Sequence, residues 1–203
     1  MDYLQHKTSL RKRYFILRHG ESLNKVKNIL QSDVKKGLAG FGLTAVGKKQ
    51  IEVVVKKFTA LDQSTIIYAS DFKRTRETAA IARRILKTRP VHFSPLLRER
   101  GFGRWNEVAD YNYQKIEQAD LKNPHNQLNG IESLNHVLNR TTKLVDQLEK
   151  KYTGKKILLV SHGDPLQILQ TGFMKLNANQ HRRRARLRVA QLRELKLKKS
   201  PTR

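Results

Sequence analysis

The chain contains no cysteine, which removes disulfide staples, thiolate nucleophiles and cysteine-held metals from consideration. A cysteine-free chain suits a reducing compartment, so the cytoplasm is the expected location. No apolar run approaches the roughly 20 residues that a membrane-spanning helix needs. Met1 to Arg13 carries charges but no apolar core, so it does not read as a secretory signal. Internal repeats and Gly/Ser linkers are also missing. One domain over 1–203 is the economical expectation, with its core at about 13–197 and a basic extension at 198–203. Acidic residues are scarce, with 17 Asp and Glu against 42 Lys and Arg in 203 residues.

The resulting net charge of +25 invites anionic partners, because Lys and Arg neutralise phosphates and anionic headgroups. Residues 181–203 account for a local +9, and the remaining 180 residues keep +16. Basicity therefore runs along the whole chain. Hydrophobic residues make up 38% of it, but they fall in periodic runs and so read as a folded core rather than disorder.

Tyr14-Phe15-Ile16-Leu17 reads as a buried strand that stops at Arg18-His19-Gly20. Residues 24–42, polar and glycine-bearing, read as a long loop. Thr44 is a plausible cap for a helix carrying Ile51, Val54 and Val55, although three consecutive valines oppose it. Thr65 to Ala69 is a second strand, with Ser70-Asp71 capping a helix to about Leu86. Val91-His92-Phe93 is a third strand, and 94–130 reads as loops around one short helix. A long amphipathic helix follows from Leu134 to Leu148. Lys156 to Val160 is the clearest strand, closed by Ser161-His162-Gly163-Asp164, with a helix after it to about Gly172. The pattern over Val189–Leu197 fits either a last strand or a helical face. Strands alternating with helices imply an α/β domain with a mainly parallel sheet.

Two strands thus end in His-Gly, at His19 and His162. In an open α/β sheet, ligands bind outside the carboxyl ends of the strands, so both histidines should face one crevice. Their glycines, Gly20 and Gly163, would let backbone approach a ligand closely. Arg74 lies on the first turn of the helix after the second strand, at the same sheet edge. Two arginines, Arg18 and Arg74, with two histidines form an anion trap in which a neutral imidazole can attack phosphorus.

These segments resemble the histidine phosphatase superfamily, also called the phosphoglycerate mutase-like family. Arg18-His19-Gly20-Glu21-Ser22 resembles its signature, and Gly42-Leu43-Thr44-x-x-Gly47-x-x-Gln50 the opening of its first helix. Ser70-Asp71-x-x-Arg74-x-x-x-Thr78-Ala79 is similar to its second arginine segment. Leu97-x-Glu99-x-x-Phe102-Gly103-x-Trp105 is similar to its acid loop, and Ser161-His162-Gly163 to its second histidine. Ala190–Leu197 resembles its last strand. The resemblance implies a three-layer α/β sandwich with no metal or organic cofactor. It implies His19 as a nucleophile that forms phosphohistidine, and Arg18, Arg74 and His162 as holders of the phosphoryl oxygens. Glu99 would protonate the leaving oxygen and then deprotonate water. Ser22, Lys25 and Gly163 are further candidates for phosphate contact. Lys25 stands where the family often has Asn, with Asn24 just before it. Glu99 should need a raised pKa, which its neighbours Arg98 and Arg100 would oppose.

Between hydrolase and mutase, the spacing favours the hydrolase. Glu99 and His162 are 63 positions apart, which resembles the compact phosphatase branches rather than mutases with their insertion and C-terminal lid. The expected partner is a phosphorylated small molecule. A different class of function rests on His181-Arg182-Arg183-Arg184-Ala185-Arg186-Leu187-Arg188, an arginine-rich patch suited to RNA, DNA or an anionic membrane. No aromatic residue follows Phe173, so a stacking platform for single strands is missing. Trp105 reads as a loop anchor. His6, His92, His125, His136 and His181 read as surface or packing residues, and Lys73 and Arg76 as solvated helix charges.

Overall fold

A computed structural model describes residues 2–183 and 185–198; Arg184 and all but the first residue of the 198–203 extension lie outside it. Five strands form one sheet: β1 (Arg13–Arg18), β2 (Ile66–Ala69), β3 (His92–Phe93), β4 (Lys156–Ser161) and β5 (Leu192–Leu195). Their order is β3-β2-β4-β1-β5, parallel except for β5, which runs antiparallel along β1. The helices are α1 (Leu23–Val26), α2 (Val34–Ala39), α3 (Ala45–Lys57), α4 (Lys73–Leu86), α5 (Tyr113–Lys122), α6 (Leu134–Lys151) and α7 (Gly163–Met174).

The three layers follow from the two-residue period of β1 and β4. Tyr14, Ile16, Ile157 and Leu159 face one side, where they pack on Leu144 and Leu148 of α6 and Leu166 and Phe173 of α7. Phe15, Leu17, Leu158 and Val160 face the other, against Ile51 and Val55 of α3 and Ala79 and Ala82 of α4. Both faces are covered, so these strands are continuous apolar runs rather than alternating ones.

Three expectations need correction, and the open choice at the chain's end is settled. Residues 24–42 are not a plain loop: they hold the rest of α1 and all of α2, the latter capped by Asp33, whose carboxylate accepts from the Lys36 backbone N–H at 2.8 Å. Helix α4 is capped by Phe72 rather than by Ser70-Asp71, because both those side chains are engaged elsewhere. Ser70 Oγ meets His162 Nε2 at 2.9 Å, and Asp71 pairs with Arg98. The ambiguous end becomes a short edge strand, β5, not a helix. Gly20 is glycine for packing rather than for ligand approach. A Cβ there would lie 2.4 Å from the Gly47 carbonyl oxygen, and one at Gly47 would lie 2.0 Å from the Glu21 carbonyl oxygen.

That contact docks α3 against the turn after β1. Thr44 Oγ1 accepts from Gly47 N–H at 2.9 Å and donates to Glu21 at 2.7 Å, while Gln50 Oε1 accepts from Glu21 N–H at 3.0 Å. The three-valine run stays helical because Ile51 and Val55 are buried, and tertiary packing outweighs propensity. Parallel pairing then sets the ends of the strands side by side. Arg18 lies opposite Ser161, and His19 N–H donates to Ser161 O at 3.0 Å.

Gly47→Ala should lower stability by about 1–3 kcal/mol or more, since backbone must move to admit one methyl. Gly101→Ala, whose methyl would meet only the Glu132 side chain at 3.4 Å, should cost far less. Denaturant midpoints of the two variants check this; equal midpoints would mean that the close approach is not a constraint.

Candidate active site

A cavity of about 260 Å³ opens at the carboxyl ends of β1 and β4. His19 lies at its floor, 2% exposed, immediately after β1. Its Nδ1 is 2.7 Å from the Gly20 carbonyl oxygen, which can only accept, so Nδ1 carries the proton. The Nε2 lone pair is thereby left on the far side of the ring. Burial, then the charges of Arg74 and Arg18, hold His19 well below the usual histidine pKa and keep it neutral.

His162 begins the turn after β4 and is fully buried, its ring centroid 5.3 Å from that of His19. Arg74 Nε donates to His162 Nδ1 at 3.1 Å, which puts the proton on Nε2, facing Ser70 Oγ. Burial and Arg74 hold this ring neutral as well. Arg74 is itself buried, donating from Nη1 to Gln31 Oε1 at 3.3 Å and from Nη2 to Gln31 O at 3.1 Å. Burial pushes its pKa down to about 10. Arg18 donates from Nη1 to Leu187 O at 2.6 Å, and its buried Nε has no partner among the described residues. Gly163 makes room for it: a Cβ there would sit 3.1 Å from the guanidinium carbon.

Glu99 comes from the loop after β3. Its Oε1 accepts from Arg100 N–H at 3.0 Å, and its Oε2 lies 3.8 Å from His162 Nδ1 and 3.9 Å from Arg74 Nη2. Burial, helped by the charge of Asp164 and opposed by Arg74, pushes its pKa up to about 7. The Arg100 backbone N–H opposes that shift, but the side chains of Arg98 and Arg100 both turn away. Arg98 forks onto Asp71, and Arg100 forks onto Asp120 at 2.5 and 2.8 Å. The loop is pinned from two sides. Ser161 Oγ donates to Leu97 O at 2.6 Å, and Arg140 donates to Leu96 O at 2.7 Å.

The other sequence candidates divide. Lys25 and Asn24 both line the cavity. Ser22 does not; it is buried beneath, donating to Asn24 Oδ1 at 2.8 Å, so it supports the wall rather than forming it. Lys73 and Arg76 lie away from the cavity, and Trp105 packs with Leu30, Phe102, Ile116 and Ile131 as a loop anchor. Of the unassigned histidines, His181 is buried, with Nδ1 3.0 Å from Ala178 O, and the exposed His136 lies 2.7 Å from Glu132.

Several wall residues escaped sequence reasoning. Gln31 holds Arg74 from within a segment expected to be loop. Tyr113 of α5 donates to Asp164 Oδ2 at 2.5 Å, and Arg182 donates to Tyr113 OH at 2.6 Å. Asp164 follows His162-Gly163 directly, so its position gave a signal. Burial raises the Asp164 pKa, but Arg182 and Arg100 outweigh that and keep it ionised. The arginine-rich segment itself forms part of the wall through Arg182, Arg186 and Leu187. Among the described residues, no cluster of three or more His, Cys, Asp or Glu is placed to hold a metal ion, and no helix is long and apolar enough to cross a membrane.

Asp120→Asn removes the carboxylate charge facing Arg100, whose side chain is wholly buried. With Asp164, 3.8 Å from Arg100 Nη1, left as the counter-ion, losing the two charged hydrogen bonds should cost about 1.5–3 kcal/mol. Chemical denaturation measures the loss; a cost below about 1 kcal/mol would show that the pair does not anchor the Glu99 loop.

Comparison with known proteins bears on the fold and the family. The chain is 28% identical over 163 residues to a probable phosphatase of Schizosaccharomyces pombe, covering 79% of this chain and 73% of that one. It is 29% identical over 192 residues to a probable phosphoglycerate mutase of Yersinia enterocolitica, covering 92% and 86%. The solved structure of a mycobacterial glucosyl-3-phosphoglycerate phosphatase superposes with a TM-score of 0.75 at 21% identity, covering 90% of this chain and 88% of that one. The family description that matches residues 14–202, nearly the whole chain, is that of the histidine phosphatase superfamily, branch 1, and the chain belongs to it.

Proposed function

We propose that this protein is a phosphatase that hydrolyses a phosphomonoester through a phosphohistidine on His19. The observation that carries the reading is the His19 Nδ1–Gly20 O contact, which leaves Nε2 unprotonated in a cavity lined by guanidinium groups. Nε2 attacks phosphorus and forms the P–N bond as the ester P–O bond breaks. Glu99, with its pKa near 7, gives its proton to the departing alkoxide. The resulting carboxylate takes a proton from water, whose oxygen attacks phosphorus. The P–N bond breaks, phosphate leaves, and Glu99 is protonated again.

Arg18 and Arg74 hold the phosphoryl oxygens throughout, with Lys25 on the same wall. Their charge counters that developing on the transferring group beside the buried His19. His162 joins them by a change of protonation. Its Nδ1 accepts from Arg74 in the empty site, and donation to a phosphoryl oxygen needs that nitrogen protonated, which an arriving dianion favours. The same chemistry with the phosphoryl group returned to the leaving molecule is the mutase alternative. The polyanion alternative is weaker, because Arg182 and Arg186 are engaged with Asp164 and Glu117 on the cavity wall.

Incubation with a labelled phosphomonoester followed by an alkaline quench should place label on His19, and none in His19→Ala. Hydrolysis unaffected by His19→Ala would sink the mechanism. Isomerisation of 3-phosphoglycerate outrunning phosphate release would replace the hydrolase with the mutase.

The pH dependence has a definite sign. Glu99 must be protonated to act as acid, so turnover of an alkyl phosphate should fall as pH rises above about 7. His19, with its depressed pKa, stays unprotonated well to the acid side. Glu99→Gln should lower alkyl phosphate turnover by about 10²–10⁴ and flatten the alkaline limb. p-Nitrophenyl phosphate, whose leaving group needs no proton, should lose much less. An unchanged alkaline limb in Glu99→Gln would assign it to another group.

A further inference from the structure

We propose that the outer face of helices α3 and α4 is a docking surface for an anionic lipid membrane. Helix α3 carries two exposed valines, Val46 at 56% and Val53 at 42% exposure. They stand seven residues, or two turns, apart and so share one stripe. With Val54, Phe58, Val189 and Ala190 they line an open apolar trough between α3 and the approach to β5, and Lys49 and Lys57 stand in its walls. A second trough lies beside α4 toward the β3 edge. There the exposed Leu38 and Phe93 flank Ala80, again with cations, Lys73 and Arg76, in the walls. Apolar surface rimmed by long cationic side chains suits the headgroup boundary, where apolar groups enter and charged heads stay with the phosphates.

The charge of this face is nearly all of one sign. Lys48, Lys49, Lys56 and Lys57 of α3 are exposed, as are Lys73 and Arg83 of α4, and none is in an ion pair among the described residues. The two helices carry two carboxylates, and both are engaged. Glu52 accepts from Arg84 Nη2 at 2.7 Å, which ties the outer sides of the helices together. Glu77 accepts from Leu43 N–H at 2.6 Å. The layer on the opposite face of the sheet differs: on α6, Lys150 pairs with Asp146 at 2.8 Å, and Asp146 also meets Lys7 at 2.8 Å. Nor are these the cations of the arginine-rich segment, where Arg182 and Arg186 pair with Glu117.

The occupant follows from the combination of valines and lysines. A second copy docked face to face would set lysine against lysine, and like charges at close quarters repel. A nucleic acid backbone would engage the cations but leave Val46 and Val53 in water. A bilayer with anionic headgroups satisfies both, because its phosphates take the cations while its boundary takes the apolar side chains. The cavity of His19 opens at the carboxyl ends of β1 and β4, and none of the residues lining it belongs to α3 or α4. Docking through this face therefore leaves the cavity open.

The test is co-sedimentation of the full chain with vesicles of phosphatidylcholine alone, or of phosphatidylcholine with about 30% phosphatidylserine. The mixed vesicles should bind the wild type about tenfold or more tightly than the neutral ones, and added salt should weaken that binding. Lys49→Gln with Lys57→Gln should lower the partition coefficient by about tenfold. Val46→Gln with Val53→Gln, which leaves the net charge unchanged, should lower it by about threefold or more. Lys143→Gln with Lys150→Gln is the charge-matched control, exposed on α6 across the sheet, and should bind as the wild type does. Every substituted residue is exposed, and circular dichroism melts verify that each variant is folded. Equal binding to the two kinds of vesicle would overturn the proposal. An equal fall in the control would assign the binding to the overall charge and also overturn it. Unchanged vesicle binding by the valine pair would leave a surface that reads charge alone, as for a nucleic acid backbone, and would overturn the lipid assignment. A wild-type dimer in solution that the valine pair dissociates would assign the trough to a second copy, with the same result.

Discussion

Arg74 and Arg18 are two guanidinium groups in the interior that, among the described residues, hydrogen-bond only to neutral partners: the two oxygens of Gln31, the imidazole of His162 and the carbonyl of Leu187. The nearest carboxylate oxygen to Arg74 is on Glu99, 3.9 Å away, and Glu99 is itself poised near neutrality. Holding cations in the interior without a hydrogen-bonded counter-ion is costly, and an incoming anion relieves that cost. The positive field of the cavity follows from this imbalance. So does the neutrality of both histidines, which the same two charges discourage from protonating.

The scarcity of acidic residues takes on a structural meaning beside that imbalance. Asp71, Asp120 and Glu132 lie around the site, paired with Arg98, Arg100 and Arg140, while Glu117 pairs with Arg182 and Arg186 on the cavity wall. Those pairs turn Arg98 and Arg100 away from Glu99 and hold its loop in place. Asp164 has a second effect, because its charge raises the pKa of Glu99 while Arg182 and Tyr113 keep its own carboxylate ionised. The pKa of Glu99 and the charge of the cavity are thus tuned by one connected set of charges.

Much of this was legible in the chain. The buried strands around Phe15 and Leu158 were readable because both faces of a parallel sheet must be apolar. His19 and His162 could be placed at one crevice because strand ends share an edge. The Gly42-to-Gln50 segment was readable as a motif, but its purpose was not, since only the folded backbone brings Gly47 within contact of Gly20 and Glu21. Helices α1 and α2 were missed because such short polar helices have no apolar period. The cap of α4 was misplaced because Ser70 and Asp71, good capping residues, have stronger partners from distant segments.

What the sequence determined by itself was the α/β pattern and which histidines and arginines stand at the strand ends, because both are written in local periodicity and in residue type. What only the tertiary structure decided was charge: which arginines face the cavity, which are neutralised, and where protons rest on the two imidazoles. Coulomb interactions depend on distance and burial across segments far apart in the chain, so +25 read along the sequence says little about any one site. The arginine-rich segment is the clearest case. As a string it suggested a surface for polyanions; folded, two of its arginines line the pocket of His19.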